Sequence, residues 1–335
     1  MDSFLPLDAL RWRPYFKPIR ETEAKKRDFE AHSLRQDLDV LLGNYNITSV
    51  PTKALRIFQT LWPQTLPGPL KRTPRLVSQH PSKGPSPLGT WLFTLLRLAD
   101  LPLQYYFLTS GLGTSLIQRL GGTPVAIPTT STTSVLGLSP YYSLVFSLAI
   151  GSAAKQIFWV LAINDNNFDA PFATGVAAYN TILNSLNSLL SLWLATSNHP
   201  ANTFGSMGDL LTLSPVTSSV PLGVLLYTVG IWIEWWCEVQ RKAFKRDPAN
   251  KGKPYSGGLF SLATNINYGG YTLWRAGYSI VCAGLPWGVF VFGFLAYDFI
   301  NRAIPLLEGH CERRYGEQWK EVRRKVPNRF LPWFF

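Results

Sequence analysis

The chain has 335 residues, of which 46% are hydrophobic, and its 32 Lys+Arg against 20 Asp+Glu give a formal net charge of +12. That charge sits at the ends: residues 1–88 carry 14 cations and 8 acids, residues 238–335 carry 15 and 7, and residues 89–237 carry only Arg97, Arg119 and Lys155 against five acids. So long a charge-poor stretch excludes an ordinary water-soluble domain, although polar ends bring the mean hydropathy to +0.04.

Residues 1–88 read as a polar cytosolic extension and linker. Met1 to Leu10 has no charged start followed by a long apolar run, so no cleaved signal is expected. Thr22 to Leu42 has helix-forming composition with an apolar stripe of Phe29, Leu34, Leu38 and Leu41. Pro51 opens a shorter amphipathic pattern, Leu55, Ile57, Phe58 and Leu61, either an interfacial helix or an ordinary packed one. Pro63 to Pro87 holds seven prolines and four Lys/Arg and reads as a linker along a membrane face. Asn46-Ile47-Thr48 matches a glycosylation sequon but falls on the cytosolic side.

Residues 89–335 read as an all-α, polytopic transmembrane helix bundle. About six spans fit, near 90–114, 142–163, 173–196, 219–237, 268–285 and 287–306, each close to the ~20 residues a bilayer core requires. Within the first, Arg97 and Asp100 stand at i, i+3, where they form a buried ion pair unless the span begins later. Loops 115–141 and 197–218 hold Arg119 as their one strong cation, whereas 1–88, 238–267 and 307–335 are rich in Lys/Arg. The positive-inside rule then places both termini in the cytosol.

Two polar features lie inside the apolar region. Asn180, Asn184 and Asn187, at i, i+4 and i+7, share one helix face. Carboxamides are costly against lipid, so this stripe either joins helices by hydrogen bonds or lines a substrate cavity. Glu234, within Gly230-Ile231-Trp232-Ile233-Glu234-Trp235-Trp236, is an intramembrane carboxylate that needs a partner or a function. Its neighbouring tryptophans suit interfacial anchoring.

The last third is the richest in chemistry. A basic loop from Arg241 to Lys253, including Asn250-Lys251-Gly252-Lys253, leads to Gly258-Leu259-Phe260 and Asn267-Tyr268-Gly269-Gly270. The polar tail runs from His310 through Arg314-Tyr315-Gly316 and Trp319 to Val326-Pro327 and Pro332. Cations and aromatics of this density beside apolar runs suit an anionic cofactor at a bilayer surface. Cys237, Cys282 and Cys311 form neither a metal pattern nor a disulfide framework.

In this order, these segments resemble the steroid 5-alpha-reductase C-terminal-like family, which groups with sterol C14 reductases and isoprenylcysteine methyltransferases. The resemblance is strong over residues 230–335, loose over 89–229 and absent over 1–88; Asn-Tyr-Gly-Gly-Tyr-Thr-Leu-Trp-Arg is similar to the fungal branch. It implies a multi-pass reductase of the endoplasmic reticulum membrane, passing hydride from NADPH to an activated C=C bond of a hydrophobic steroid-, terpenoid- or lipid-like substrate. The implied cofactor contacts are Asn267, Tyr268, Arg314, Tyr315, Trp319 and Arg324, with His310 as a further one; beside them, Lys251 is a phosphate donor of the basic loop and Arg275 a cation one turn beyond Tyr271. Guanidinium forks suit phosphates and aromatic faces suit rings. Glu234, Tyr268 and Tyr271 are the implied proton donors or oxyanion partners, with Glu234 and a tyrosine favoured.

One departure stands out. Where the family usually has Arg-His-Pro-Asn-Tyr-x-Gly and then an acid, this chain has Thr264-Asn265-Ile266-Asn267-Tyr268-Gly269-Gly270 and then Tyr271. The change removes a cation and a titratable ring, and one charge-assisted bond is worth roughly 1.5–3 kcal/mol. Two alternatives therefore accompany the reductase: an S-adenosylmethionine-dependent methyltransferase on the same scaffold, or a non-reducing isomerase or lipid-binding protein. Partners are the bilayer and a hydrophobic small molecule; the basic ends flank membrane spans and carry no nucleic-acid-reading motif.

Overall fold

A computed structural model describes residues 86–125, 136–198 and 219–335. The expectations for residues 1–85, including the two amphipathic segments and the sequon, lie outside the described residues. So do residues 126–135 and 199–218.

The described chain is helical, and its one β-type pairing is an isolated antiparallel bridge between Pro124 and Trp193. Helix α1 (Pro87–Thr109) ends at Ser110, and Gly111, with φ 78°, turns the chain into the short α2 (Leu112–Arg119). The span expected at 90–114 therefore stops at Thr109, because a left-handed residue breaks the helix there. Helix α3 (Pro140–Phe158) continues through a π-helical turn to Ile163. Helix α4 (Ala170–Leu192) starts at Asp169, whose carboxylate accepts the Phe172 amide at 2.9 Å. Helix α5 (Ser219–Arg246) carries Lys245 and Arg246 in its last turn, where cations complement the helix dipole.

Helix α6 (Ile266–Asp298) is two helices joined at a kink. Ala283 and Gly284 leave helical geometry, Gly284 at φ 73°, and Pro286 lies just beyond. Proline cannot donate to the preceding turn and clashes with it, while glycine alone adopts that positive φ freely. A π-helical turn (Phe299–Ala303) leads into α7 (Ile304–Tyr315). Gly316, at φ 53°, separates α7 from α8 (Glu317–Lys325).

Among the described residues, three helical stretches, Pro140–Ile163, Ser219–Arg246 and Ile266–Tyr315, are long and apolar enough to cross a membrane. The distribution of side chains fits lipid as the solvent. On α1, Leu88, Trp91, Leu95 and Leu98 point outward, while Arg97, Asp100 and Gln104 are 0%, 2% and 0% exposed. Apolar groups outside and charges inside is the reverse of what water would select.

Helices α5 and α6 approach most closely, through glycines. A Cβ on Gly277 would lie 2.5 Å from the Gly223 carbonyl oxygen, and one on Gly230 would lie 2.7 Å from that of Gly270. Without a hydrophobic force between helices in lipid, such close backbone packing supplies the cohesion. Tyr227 joins the pair to α3, its hydroxyl donating to the Leu148 carbonyl at 2.7 Å, and packs edge-on against Trp274 and Tyr278. Tyr141 of α3 likewise donates to the Val281 carbonyl, at 2.9 Å.

Candidate functional site

The polar residues of α6 form a descending stripe. Asn267, Tyr271, Arg275 and Ser279 recur every fourth residue and so share a face, reaching about 18 Å from first to last at 1.5 Å per residue. On α5, Glu238 and Glu234 run beside it in the same way. Together these stripes connect the polar end of the bundle with its interior.

At the inner end, Arg275 is 1% exposed. Its Nη1 donates to Asn184 Oδ1 at 3.0 Å, Nη2 to Asn180 Oδ1, and Nε to the Tyr271 hydroxyl at 3.3 Å. The guanidinium also lies 4.3 Å from the centre of the Trp274 ring, a cation–π contact that offsets part of its desolvation. Asn184 turns its amide to Asp100 Oδ2 at 2.7 Å, and Asp100 pairs with Arg97 at 3.1 Å. Gln104 donates to Asp100 Oδ1 at 2.9 Å. Asn187 accepts from Ser279 at 3.2 Å and from the Trp287 indole at 2.7 Å. The asparagine stripe thus ties α4 to α1 and α6. Glu234 is held by Lys155 of α3 and by the Trp274 indole, the latter at 2.6 Å.

Nearer the polar end, Asn267 donates to Glu238 Oε1 at 3.0 Å, and Glu238 Oε2 pairs with Arg241. Glu238 is 4% exposed. The Asn267 amide orientation follows from this bond, because its nitrogen must face the carboxylate. Its Oδ1 is then buried without a hydrogen-bond donor. Tyr268 stacks on Phe299, centroids 4.6 Å apart, and Tyr271 meets the same ring edge-on at 5.8 Å. One aromatic ring therefore couples the outer tyrosine to the inner one.

Thr264 and Asn265 hold the tail. Their amides donate to the carbonyls of Asn328 and Arg329, both at 3.0 Å, and the Asn265 side chain also donates to the Arg329 carbonyl at 3.0 Å. Glu308 receives Arg323 and Arg329 in ionic contacts of 3.5 Å each. Burial lowers the Arg323 pKa, and Glu308 works against that shift. Thr264 and Asn265 thus anchor residues 328–329.

The remaining residues expected from the sequence are placed as follows. Tyr315 accepts a long bond, 3.4 Å, from Lys245 and lies beneath the Arg314 guanidinium at 5.4 Å. Trp319 is buried, with its indole nitrogen unpartnered. His310 is half-buried, and Lys251 and Arg324 are exposed. Asn180, Asn184, Arg275, Tyr271 and Glu234 share one interior network through Trp274, and Asn267 and Tyr268 lie at its polar end. Sequence reasoning did not single out Lys155, Glu238, Arg241 or Trp287 as site residues. For Lys155 the signal was present: a buried carboxylate requires a cation, and residues 89–237 offer three.

Residues 186–326 match the family described as a protein of unknown function, DUF1295. The chain is also 36% identical over 242 residues to the probable O-methyltransferase ustE of Ustilaginoidea virens, a span covering 70% of this chain and 83% of that protein.

Proposed function

From the premise that this chain belongs to the DUF1295 family of the steroid 5-alpha-reductase-like superfamily, we propose that it is a membrane-embedded, S-adenosylmethionine-dependent O-methyltransferase of a hydrophobic acceptor. The observation that carries this reading is the pair of buried acceptors at the polar end of α6: Asn267 Oδ1, which lacks a donor, beside the Glu238 carboxylate. An ammonium group or ribose hydroxyls supply the donors such a pair needs, and a phosphate supplies none. S-adenosylmethionine carries both kinds of donor and, when bound, provides an electrophilic methyl group. The name of the relative points the same way.

The residues of this chain have separable tasks in that reaction. Glu238 and Asn267 bind the amino-acid or ribose part of the donor, with Arg241 paired to Glu238 and fixing its position. Tyr268, Phe299 and Tyr271 form an aromatic lining along which the donor reaches from Glu238 and Asn267 toward Arg275. Arg275 stabilises negative charge on the acceptor oxygen, as an oxyanion partner does in a water-poor site. Glu234 is engaged by Lys155 and Trp274 and acts by positioning the latter, against which Arg275 lies.

A second reading, NADPH-dependent reduction of an activated C=C bond, is favoured by the cations near the tail. Lys245 and Arg314 meet at Tyr315, which suits a polyphosphate. In that reaction Tyr271, bonded to Arg275, supplies the proton. Under either chemistry the setting is a multi-pass bundle of about six spans in the endoplasmic reticulum membrane. Residues 1–88 form a cytosolic extension, and both termini face the cytosol.

Calorimetric titration of the detergent-purified protein with S-adenosylmethionine and with NADPH separates the readings. We expect micromolar binding of S-adenosylmethionine, weakened at least about tenfold by Glu238→Gln, in line with one charge-assisted bond. Binding of NADPH alone would replace the first reading with the second. Binding of neither would remove both and leave a lipid-binding or isomerising protein.

A further inference from the structure

The interior network is charge-unbalanced. Among the described residues no carboxylate pairs with Arg275: its partners are two asparagine carbonyls, a tyrosine hydroxyl and an indole face. Asp100 is already committed to Arg97, Asn184 and Gln104. Arg97, 0% exposed, keeps Nε and Nη2 without any partner. Lys155 and Glu234 neutralise each other. The wall between α1, α4 and α6 therefore contains two buried guanidinium groups and one carboxylate. In lipid an unneutralised cation costs several kcal/mol, and neutral amide bonds offset only part of that. A stored positive charge with idle donors is what a site for an anion requires.

We infer that this interior site binds an amphipathic organic anion, a hydrophobic carboxylic acid or phenol, whose ionised oxygen pairs with Arg275 while Arg97 is the second cation of the site. Asn180 and Asn184 hold Arg275 until the anion takes over one of its donors. The position along α6 suits this role. Arg275 stands two turns inward from Asn267, roughly 12 Å by helical rise, with Tyr271 between. An anionic oxygen at Arg275 thus lies inward of the polar end, at the inner end of the aromatic lining that Tyr268, Phe299 and Tyr271 form. The inference deepens the methyl-transfer reading and rests on it for the fate of that oxygen: it would take the methyl group of S-adenosylmethionine, an O–C bond forming as the S–C bond breaks, with S-adenosylhomocysteine as the leaving group. The binding itself requires no donor molecule.

The test uses the whole chain in lipid nanodiscs, without cofactor. Binding of 1-pyrenebutyrate is compared with that of its uncharged methyl ester and of 1-pyrenebutanol at pH 7.5, read by pyrene fluorescence. Wild type should prefer the carboxylate by at least tenfold. Arg275→Gln should abolish the preference, and Arg275→Lys, which keeps the charge but not the fork, should retain part of it. Arg97→Gln should reduce it as well. Equal affinity for acid and ester in wild type would overturn the inference, and that result stands even if a variant fails to fold. An acid preference undiminished in Arg275→Gln would assign the binding to the basic ends and overturn it too. Loss of S-adenosylmethionine binding with the acid preference intact would refute the methyl-transfer reading alone.

Discussion

A carboxylate in a bilayer is stable only with its charge answered at close range, and Glu234 is answered twice, by Lys155 and by the Trp274 indole. Both ionised side chains are largely buried, 8% and 12% exposed, so removing one strands the other. Glu234→Gln or Lys155→Met alone should therefore cost about 3–5 kcal/mol, seen as a marked fall in thermal midpoint in detergent. The double change to Gln and Met should recover much of it; equal destabilisation by the double variant would show that the pair is not the unit. Thr264 and Asn265 illustrate a different lesson. In the sequence they mark the loss of a cation and a titratable ring, whereas in the fold they grip Asn328 and Arg329.

Among the elements, the α5–α6 pair is the most constrained, because its glycines leave no room for a side chain. A leucine at Gly277 would collide with the Gly223 carbonyl and with the Tyr227 amide, each 2.5 Å from its Cβ. Neither obstacle is a flexible side-chain end, so the helices must separate. Gly277→Leu should lower the thermal midpoint sharply and broaden the size-exclusion peak, at a cost of about 3 kcal/mol or more for overpacking. Gly175 on α4 faces open space. Gly175→Leu should leave both measurements unchanged, and a comparable loss there would undercut the packing argument. The kink in α6 belongs to this scale as well. Gly284 takes the positive φ and Pro286 breaks the ladder, so one long apolar run becomes two helices.

For the whole molecule, the outward apolar faces and inward charges identify the surroundings. Leu95, 61% exposed, and Arg97, fully buried, lie two residues apart on α1 and face opposite environments. A spin label at Leu95→Cys, in a Cys311→Ser background with Cys237 and Cys282 protected by burial, should collide readily with oxygen and poorly with a water-soluble nickel chelate. The reverse preference would place α1 in water. The same polarity holds for α1 and α4, where Arg97, Asp100, Gln104, Asn180, Asn184 and Asn187 are buried. Their polar residues are turned into the protein.

The sequence by itself determined the solvent and the class of fold. Helix length, apolar runs and the confinement of charge to the ends follow from local composition, and so do the Arg97–Asp100 pair and the asparagine face, whose members lie within two turns of one helix. The demand that Glu234 find a partner was also local, since it follows from the cost of burying one charge. Which residue met that demand was not. Lys155 is 79 residues away, Glu238 is 29 from Asn267, and Arg275 reaches Asn184 across 91. Such pairings depend on which helices pack together and in what rotation, and glycine contacts and a kink set these only when the whole chain is assembled. The tertiary structure alone therefore decided that Glu238 and Asn267 face each other, that residues 264 and 265 clasp the tail, and that Arg275 lies buried without a counter-ion.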